Sequence, residues 1–492
     1  MNAAAIKVSI VILISRVFGY FRDMCVAAFI GAGPISDAMM AAFKLTNLFR
    51  SIFSEGAMSS ALIPTLSQSI KSHGERYTRV VTYHIFSMLL LILSIFTLFI
   101  FYQMENFIYI TNPGFKHNSE IFNLAVELAY IMFPYLILIS AAAFYGSILQ
   151  IKGVFTPYAF TSIIMNITII CVLYMSNLSS VHSFAYGLIL SGVLELIWMI
   201  FFAHKYNAKL LIRKPVFSKY FRLTLKRILP GIFASSMTQI SVWCDMIILS
   251  FFSGGISYLY FADRIIQLPL AIFSTAISII LLPLLSKNSE MKDITLNKSL
   301  RFTLCFILPS ASGIFMLSEE IVSVLFVRGA FNSEAASNTI VILKILCFAL
   351  PFQAISKIYT SAIHSSGNLS ITVKFSSVSL FFNILLSVIL MKKLGFQCVA
   401  VATIFSSAIQ AILLICYSYN KISEFKMSLQ TIQDFIKYIC GVCIMIYMIT
   451  LLKNLFIHND LIKLILCIVL GGICYSIILI ILKVQIQKDF LK

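Results

Sequence analysis

The run "LILCIVLGGICYSIILIIL", residues 464–482, carries no charged side chain. A helix of about twenty such residues, rising about 1.5 Å each, crosses the roughly 30 Å hydrocarbon core of a bilayer. Comparable runs recur along all 492 residues. The chain is 60% hydrophobic and 11% charged, with a mean hydropathy of +0.96. Soluble domains carry about 25% charged residues, so this chain has too little polar surface to cover a water-soluble globule. The pattern predicts an all-α polytopic membrane protein. Fourteen spans are read at 6–30, 35–68, 80–104, 121–151, 155–175, 182–204, 219–250, 256–286, 299–325, 338–363, 370–391, 395–420, 430–452 and 464–482. The first is not a cleavable signal peptide, because it holds charges in its middle and lacks a basic start and a small-residue cleavage site.

Lysine and arginine set the orientation. Of 37 such residues, 22 fall in the N-terminus, the even-numbered loops and the C-terminal tail, and only 6 in the odd-numbered loops. Positive-inside bias therefore places both termini in the cytoplasm. The net charge of +18 is thus topological, a surface for anionic membrane lipids and not for nucleic acid. Eleven cysteines are scattered through apolar runs without metal-ligand spacing, and Cys440 and Cys443 read as small apolar-face residues, not as a redox pair. There is no phosphate-binding loop and no histidine metal motif, and no cofactor is expected.

Nine basic residues remain inside spans: Arg16, Arg22, Lys44, Arg50, Arg264, Lys344, Lys357, Lys374 and Lys437. Lys437, near a helix start, can snorkel to the interface. Arg16 and Arg50 are too deep for that, and a charge at mid-span costs about 2.5–3.5 kcal/mol. On an ideal helix Arg16 and Asp23 share a face, as do Asp37, Lys44 and Glu55, while "SEGA" at 54–57 offers a bend in a second span that is otherwise too long. Two readings compete: ion pairs between helices, Asp263 beside Arg264 included, or donors lining an aqueous cavity for an anion. The planar guanidinium suits bidentate contact with phosphate or carboxylate and favours the second.

"IFSEGAMSSALIPTLS" from Ile52 is echoed by "IFSTAISIILLPLLS" from Ile272, each preceded eight positions upstream by a basic residue, Lys44 or Arg264. The echo predicts two six-helix pseudo-symmetric lobes around a central cavity, residues 1–210 and 211–425, with two extra helices in 426–492.

Three stretches carry a resemblance: "SRVFGYFRDM…FIGAGPISDAMMAAFKLTNLFRSIFSEGAMSSALIPTLS" from Ser15, "YLYFADRIIQLPLAIF…LLPLLS" from Tyr258, and "LFVRGAF" from Leu325. Together they resemble the MurJ (MviN) lipid II flippases of the MOP exporter superfamily. The likeness covers nearly the whole chain. It implies a bacterial inner-membrane transporter, not an enzyme, moving lipid II to the periplasmic leaflet by alternating access for peptidoglycan synthesis. It assigns the substrate-binding cavity to Arg16, Arg22, Arg50, Arg264 and Asp37, with Asp23, Lys44, Glu55 and Asp263 as further cavity or gating positions. It implies that the apolar stretch 430–482 forms a groove for the polyprenyl tail. Asp245 and Asn383 stand where some members hold sodium, with Ser387 in place of a second carboxylate; Ser51 and Thr46 also depart from the usual pattern. Coupling to sodium, a proton or the membrane potential stays open, as do cell-wall or division proteins as partners. Two other readings remain: a drug/cation or polysaccharide-lipid exporter of the same superfamily, and a non-transporting scaffold for cell-wall synthesis.

Overall fold

The computed structural model describes residues 3–53, 57–217, 219–278, 281, 285, 292–421, 428–455, 460–482 and 484. All regular structure among them is helical. In chain order the helices are α1 (Ala3–Phe29), α2 (Pro34–Phe53), α3 (Ala57–Tyr102), α4 (Met104–Thr111), α5 (Ser119–Met132), α6 (Tyr135–Ile151), α7 (Thr156–Met175), α8 (Ser180–Lys205) and α9 (Lys219–Leu249). Then follow α10 (Gly255–Pro269), α11 (Lys292–Met316), α12 (Ser318–Phe326), α13 (Ser333–Leu346), α14 (Leu350–Ser365), α15 (Leu369–Leu394), α16 (Cys398–Lys421), α17 (Leu429–Leu455) and α18 (Asp460–Ile481).

By length and apolarity nine helical stretches among the described residues can cross a membrane, or ten if the pair α13–α14, bent by 50°, is one span. One of the nine, Ser370–Asn420, contains both α15 and α16. They part at Gly395, which caps α15 at φ 56°, a left-handed backbone that glycine adopts without a Cβ clash. Proline interrupts the helix inside two spans read as single, of which Ser119–Ile151 still counts as one membrane-length stretch. Pro134 separates α5 from α6 and Pro351 opens α14, each lacking the N–H that a continuous helix needs. The loop expected at 69–79 is helical instead. α3 runs through it with one interruption, Gly74 at φ 81°.

Two compact units divide the chain after Ile256. The division predicted at residue 210 thus falls one helix later, because α9 packs along α3 and touches α2 and α4. In the first unit α1 lies on α7, and α2 is enclosed by α5, α6 and α8. In the second, α15 pairs with α16, and α11 joins the last two helices. Residues 428–482, expected to stand apart as a tail-binding addition, share a core with α11 and α12 built on Leu304, Leu317, Tyr438, Met445, Ile449 and Tyr475. Each is a large apolar side chain, and full burial of one contributes about 1.5–3 kcal/mol.

Candidate functional site

α2 places its charges as a helix dipole prefers, with Asp37 in the first turn and Arg50 in the last. Asp37 is buried, whereas Lys44 and Arg50 are half-buried. Arg50 donates from Nε to Asn47 Oδ1 at 2.8 Å. Of the face predicted to join Asp37, Lys44 and Glu55, the first two lie on α2, and Glu55 lies outside the described residues.

On α1, Arg22 and Asp23 form a buried ion pair, Nη2 to Oδ1 at 2.7 Å and Nε to the same oxygen at 3.1 Å. The Arg22 guanidinium carbon lies 5.9 Å from the centre of the Phe43 ring on α2. Arg22 is only 3% exposed, so the pairing reading, not open display, describes it here. Arg16 behaves in the opposite way. It is exposed, with no hydrogen bond or ion pair among the described residues. Seven residues separate Arg16 from Asp23, about 10.5 Å along the axis, so a shared face brings no contact. The helix also changes depth between them: Leu13 and Val17 are exposed, Val26 and Ala27 buried.

In the second unit Arg264 is half-buried on α10 and donates from Nη2 to the Tyr260 hydroxyl at 3.3 Å, its guanidinium carbon 5.5 Å from the same ring's centre. This i, i+4 stacking holds the fork in one orientation. Asp263 accepts from Gln267 Nε2. A π turn, Leu270–Thr275, follows α10 directly, and Lys357 of α14 donates to Thr275 Oγ1 at 2.7 Å. Two other in-span lysines have acidic partners. Lys344 pairs with Glu319 at 2.9 Å, and Lys437, expected to snorkel, pairs with Asp434 at 3.4 Å beside Arg301 at 3.3 Å.

The candidate sodium ligands lie in different units, Asp245 on α9 and Asn383 on α15. Asn383 donates to the hydroxyls of Thr403 and Ser406, each at 3.4 Å. No cluster of three or more His, Cys, Asp or Glu able to hold a metal occurs among the described residues. The Asn383 bonds engage the amide nitrogen, and the buried Asn383 Oδ1 and Ser387 Oγ have no hydrogen-bond partner among the described residues.

One ionisable residue escaped the sequence reading. Glu195, mid-way along α8, is 1% exposed. It accepts from the Tyr135 hydroxyl at 3.4 Å, and the Arg50 charge acts on it. Its signal in the sequence is a single acid inside "GVLELIWMI", residues 192–200.

Residues 26–471 match the family model described as lipid II flippase MurJ. A probable lipid II flippase MurJ of Buchnera aphidicola subsp. Baizongia pistaciae is 31% identical over 470 residues, 92% of this chain and 90% of that one. Its counterpart in Rickettsia prowazekii is 32% identical over 421 residues, 83% and 81% of the two chains. A solved lipid II flippase MurJ in an inward closed conformation superposes with a TM-score of 0.84 at 28% identity, covering 96% of this chain and 98% of that one. A multidrug resistance MATE family transporter of the MOP superfamily reaches 0.66 at 16% identity over 86% and 98% of the chains, a likeness of fold alone. A helical architecture with nine apolar stretches of membrane-crossing length among the described residues and a match along most of the sequence converge: the chain belongs to the MurJ family of lipid II flippases.

Proposed function

We propose that this protein carries lipid II from the cytoplasmic to the periplasmic leaflet of the bacterial inner membrane by alternating access, changing no covalent bond. The observation that carries this reading is the family match over residues 26–471 in a chain that carries Arg16 exposed on α1 and Arg50 and Arg264 half-buried on α2 and α10. A pyrophosphate headgroup is too strongly hydrated to cross hydrocarbon bare. Guanidinium forks replace its water with charge-assisted hydrogen bonds, roughly twice as strong as neutral ones. In this reading Arg50, Arg264 and Arg16 are the donors and Lys44 adds charge. Asp37 tempers the field, so that the anion can leave.

The split of 22 loop cations against 6 supports cytoplasmic termini and fourteen crossings. Labelling of single cysteines at 205–218 from the periplasm, or at 105–120 from the cytoplasm, would overturn that topology. The function is tested in cells depleted of their own flippase. Supplying this chain should restore growth and expose lipid II to a hydrolase added outside. A chain that accumulates in the membrane yet exposes no lipid II is a scaffold or an exporter of something else.

A further inference from the structure

The connection between α8 and α9 is irregular where it is described, and its sequence says why. Asn207 takes a left-handed φ of 52°, which ends α8, and Pro215 biases Lys214 towards extended backbone, so the two helices do not merge. The segment is nevertheless held. Lys152, which caps α6, donates from Nζ to the Tyr206 and Asn207 carbonyls at 2.8 and 3.0 Å. Further along, the Arg213 N–H donates to Ser87 Oγ at 2.9 Å, and His84 Nδ1 donates to the Lys214 carbonyl at 3.0 Å. The Arg213 guanidinium carbon lies 5.5 Å from the centre of the Tyr83 ring. Three residues of α3 thus pin this strap, largely by its backbone.

Its side chains are unlike those of an ordinary polar loop. Leu211, Ile212, Val216 and Phe217 are all exposed, Ile212 by 76% and Phe217 by 57%. Around them the charge has one sign: between Glu195 and Asp245 the chain holds eight lysines and arginines and no acid. Lys209, Lys214 and Lys219 are exposed, with no side-chain hydrogen bond or ion pair among the described residues. Depth is set by α3. Tyr102 ends that helix, and Tyr83 lies about twenty residues before it, about 30 Å of helix and the thickness of the hydrocarbon core. Residues 83–87 therefore stand at one boundary of the hydrocarbon, and the strap they pin runs along it. Apolar tips and cations together at that depth match a bilayer interface, where apolar side chains enter the acyl boundary and lysines stay with the phosphates.

We propose that residues 209–217 with Lys219 form an interfacial anchor that docks on acidic phospholipid, the four apolar side chains dipping into the acyl boundary and the three lysines binding the phosphates. In the topology proposed above the leaflet is the cytoplasmic one, whose anionic lipids attract polybasic segments. A protein partner fits less well, because an unbroken run of cations at the edge of the hydrocarbon meets lipid first. The strap leads directly into α9, which packs along α3, so the anchor holds the start of α9 at the interface.

The test uses the full-length purified protein in lipid nanodiscs. These present lipid on both faces, so the outcome does not depend on which side of the membrane the strap lies. Ile212→Trp adds one indole to the two the chain has, and the difference from the native protein reports the strap alone. In phosphatidylcholine discs containing phosphatidylglycerol, the added indole should emit at shorter wavelength, be quenched by brominated acyl chains and be shielded from acrylamide. Lys209→Gln, Lys214→Gln and Lys219→Gln together should raise the phosphatidylglycerol fraction needed for that response, each cation being worth about fivefold in attraction to an acidic surface. Should Ile212→Trp fail to accumulate, Phe217→Trp carries the same test from the other exposed end of the strap. An indole open to acrylamide and unquenched by brominated lipid in both compositions overturns the proposal and leaves the strap to a protein partner. Equal quenching with and without phosphatidylglycerol, or a triple glutamine variant that responds as the native strap does, overturns it too, since the strap would then not recognise acidic lipid.

Discussion

Arg22 and Arg16 sit six residues apart on one helix and meet different physics. Arg22 is 3% exposed and spends its fork on Asp23, while Arg16 stands exposed. Removing one partner of a buried ion pair costs about 3–5 kcal/mol, because the other charge keeps its burial without its counter-ion. Arg22→Ala should therefore lower the Tm of the detergent-solubilised protein clearly, and Arg16→Ala should leave it near the native value. Equal melting of both variants would mean that the Arg22–Asp23 contact is not a structural pair. That Arg16, Arg22, Arg50 and Arg264 fall within helices was legible from position alone. How deep each lies was not, because a helical wheel assigns a face and not a depth. Glu195 shows the same limit from the other side, since a lone acid in an apolar run says nothing about which cation acts on it until α2, α6 and α8 are packed together.

Elements were legible where apolar length dominates, as in α7, α8 and α18, whose bounds lie within a few residues of the spans read from the sequence. They were less so where a single residue breaks a long run. Pro134, Pro351 and Gly74 each interrupt a stretch whose hydrophobicity alone reads differently. The last two helices repay closer attention to their faces. A Cβ at Gly471 would lie 3.3 Å from Ile449 and 3.6 Å from Met445, so this glycine belongs to the α17–α18 contact, whereas a Cβ at Gly472 would meet nothing within 4 Å. Only the second can report on a lipid tail outside the protein. Gly472→Trp should preserve melting and slow lipid II translocation if the outer face of α18 guides the polyprenyl chain. Gly471→Trp should instead overpack the helix pair and destabilise it by about 1–3 kcal/mol. Native translocation by a stable Gly472→Trp variant would remove this face from the tail path.

At the scale of the molecule, the division after Ile256 could not be read from local pattern, since it depends on α9 meeting α3 across more than a hundred residues of chain. Second-unit stability draws on charge as well as on its apolar core. Glu320 on α12 accepts from Lys453 and Lys463, each at 3.0 Å, tying both terminal helices to α12 near the 453–463 connection. Arg301 likewise meets a carboxylate, that of Asp434, at 3.3 Å, and the account depends on two other half-buried arginines, Arg50 in the first unit and Arg264 in the second. The direct measurement is the outer-leaflet exposure of lipid II in flippase-depleted cells carrying Arg50→Ala, Arg264→Ala or Arg264→Lys, at matched protein level and Tm. A hydrogen bond to a charged group is worth about 1.5–3 kcal/mol, so each alanine variant should lose about tenfold to a hundredfold in rate while staying folded, with Arg264→Lys in between. Native rates in both alanine variants, or loss of folding in both, would contradict the claim that these arginines receive the anionic headgroup.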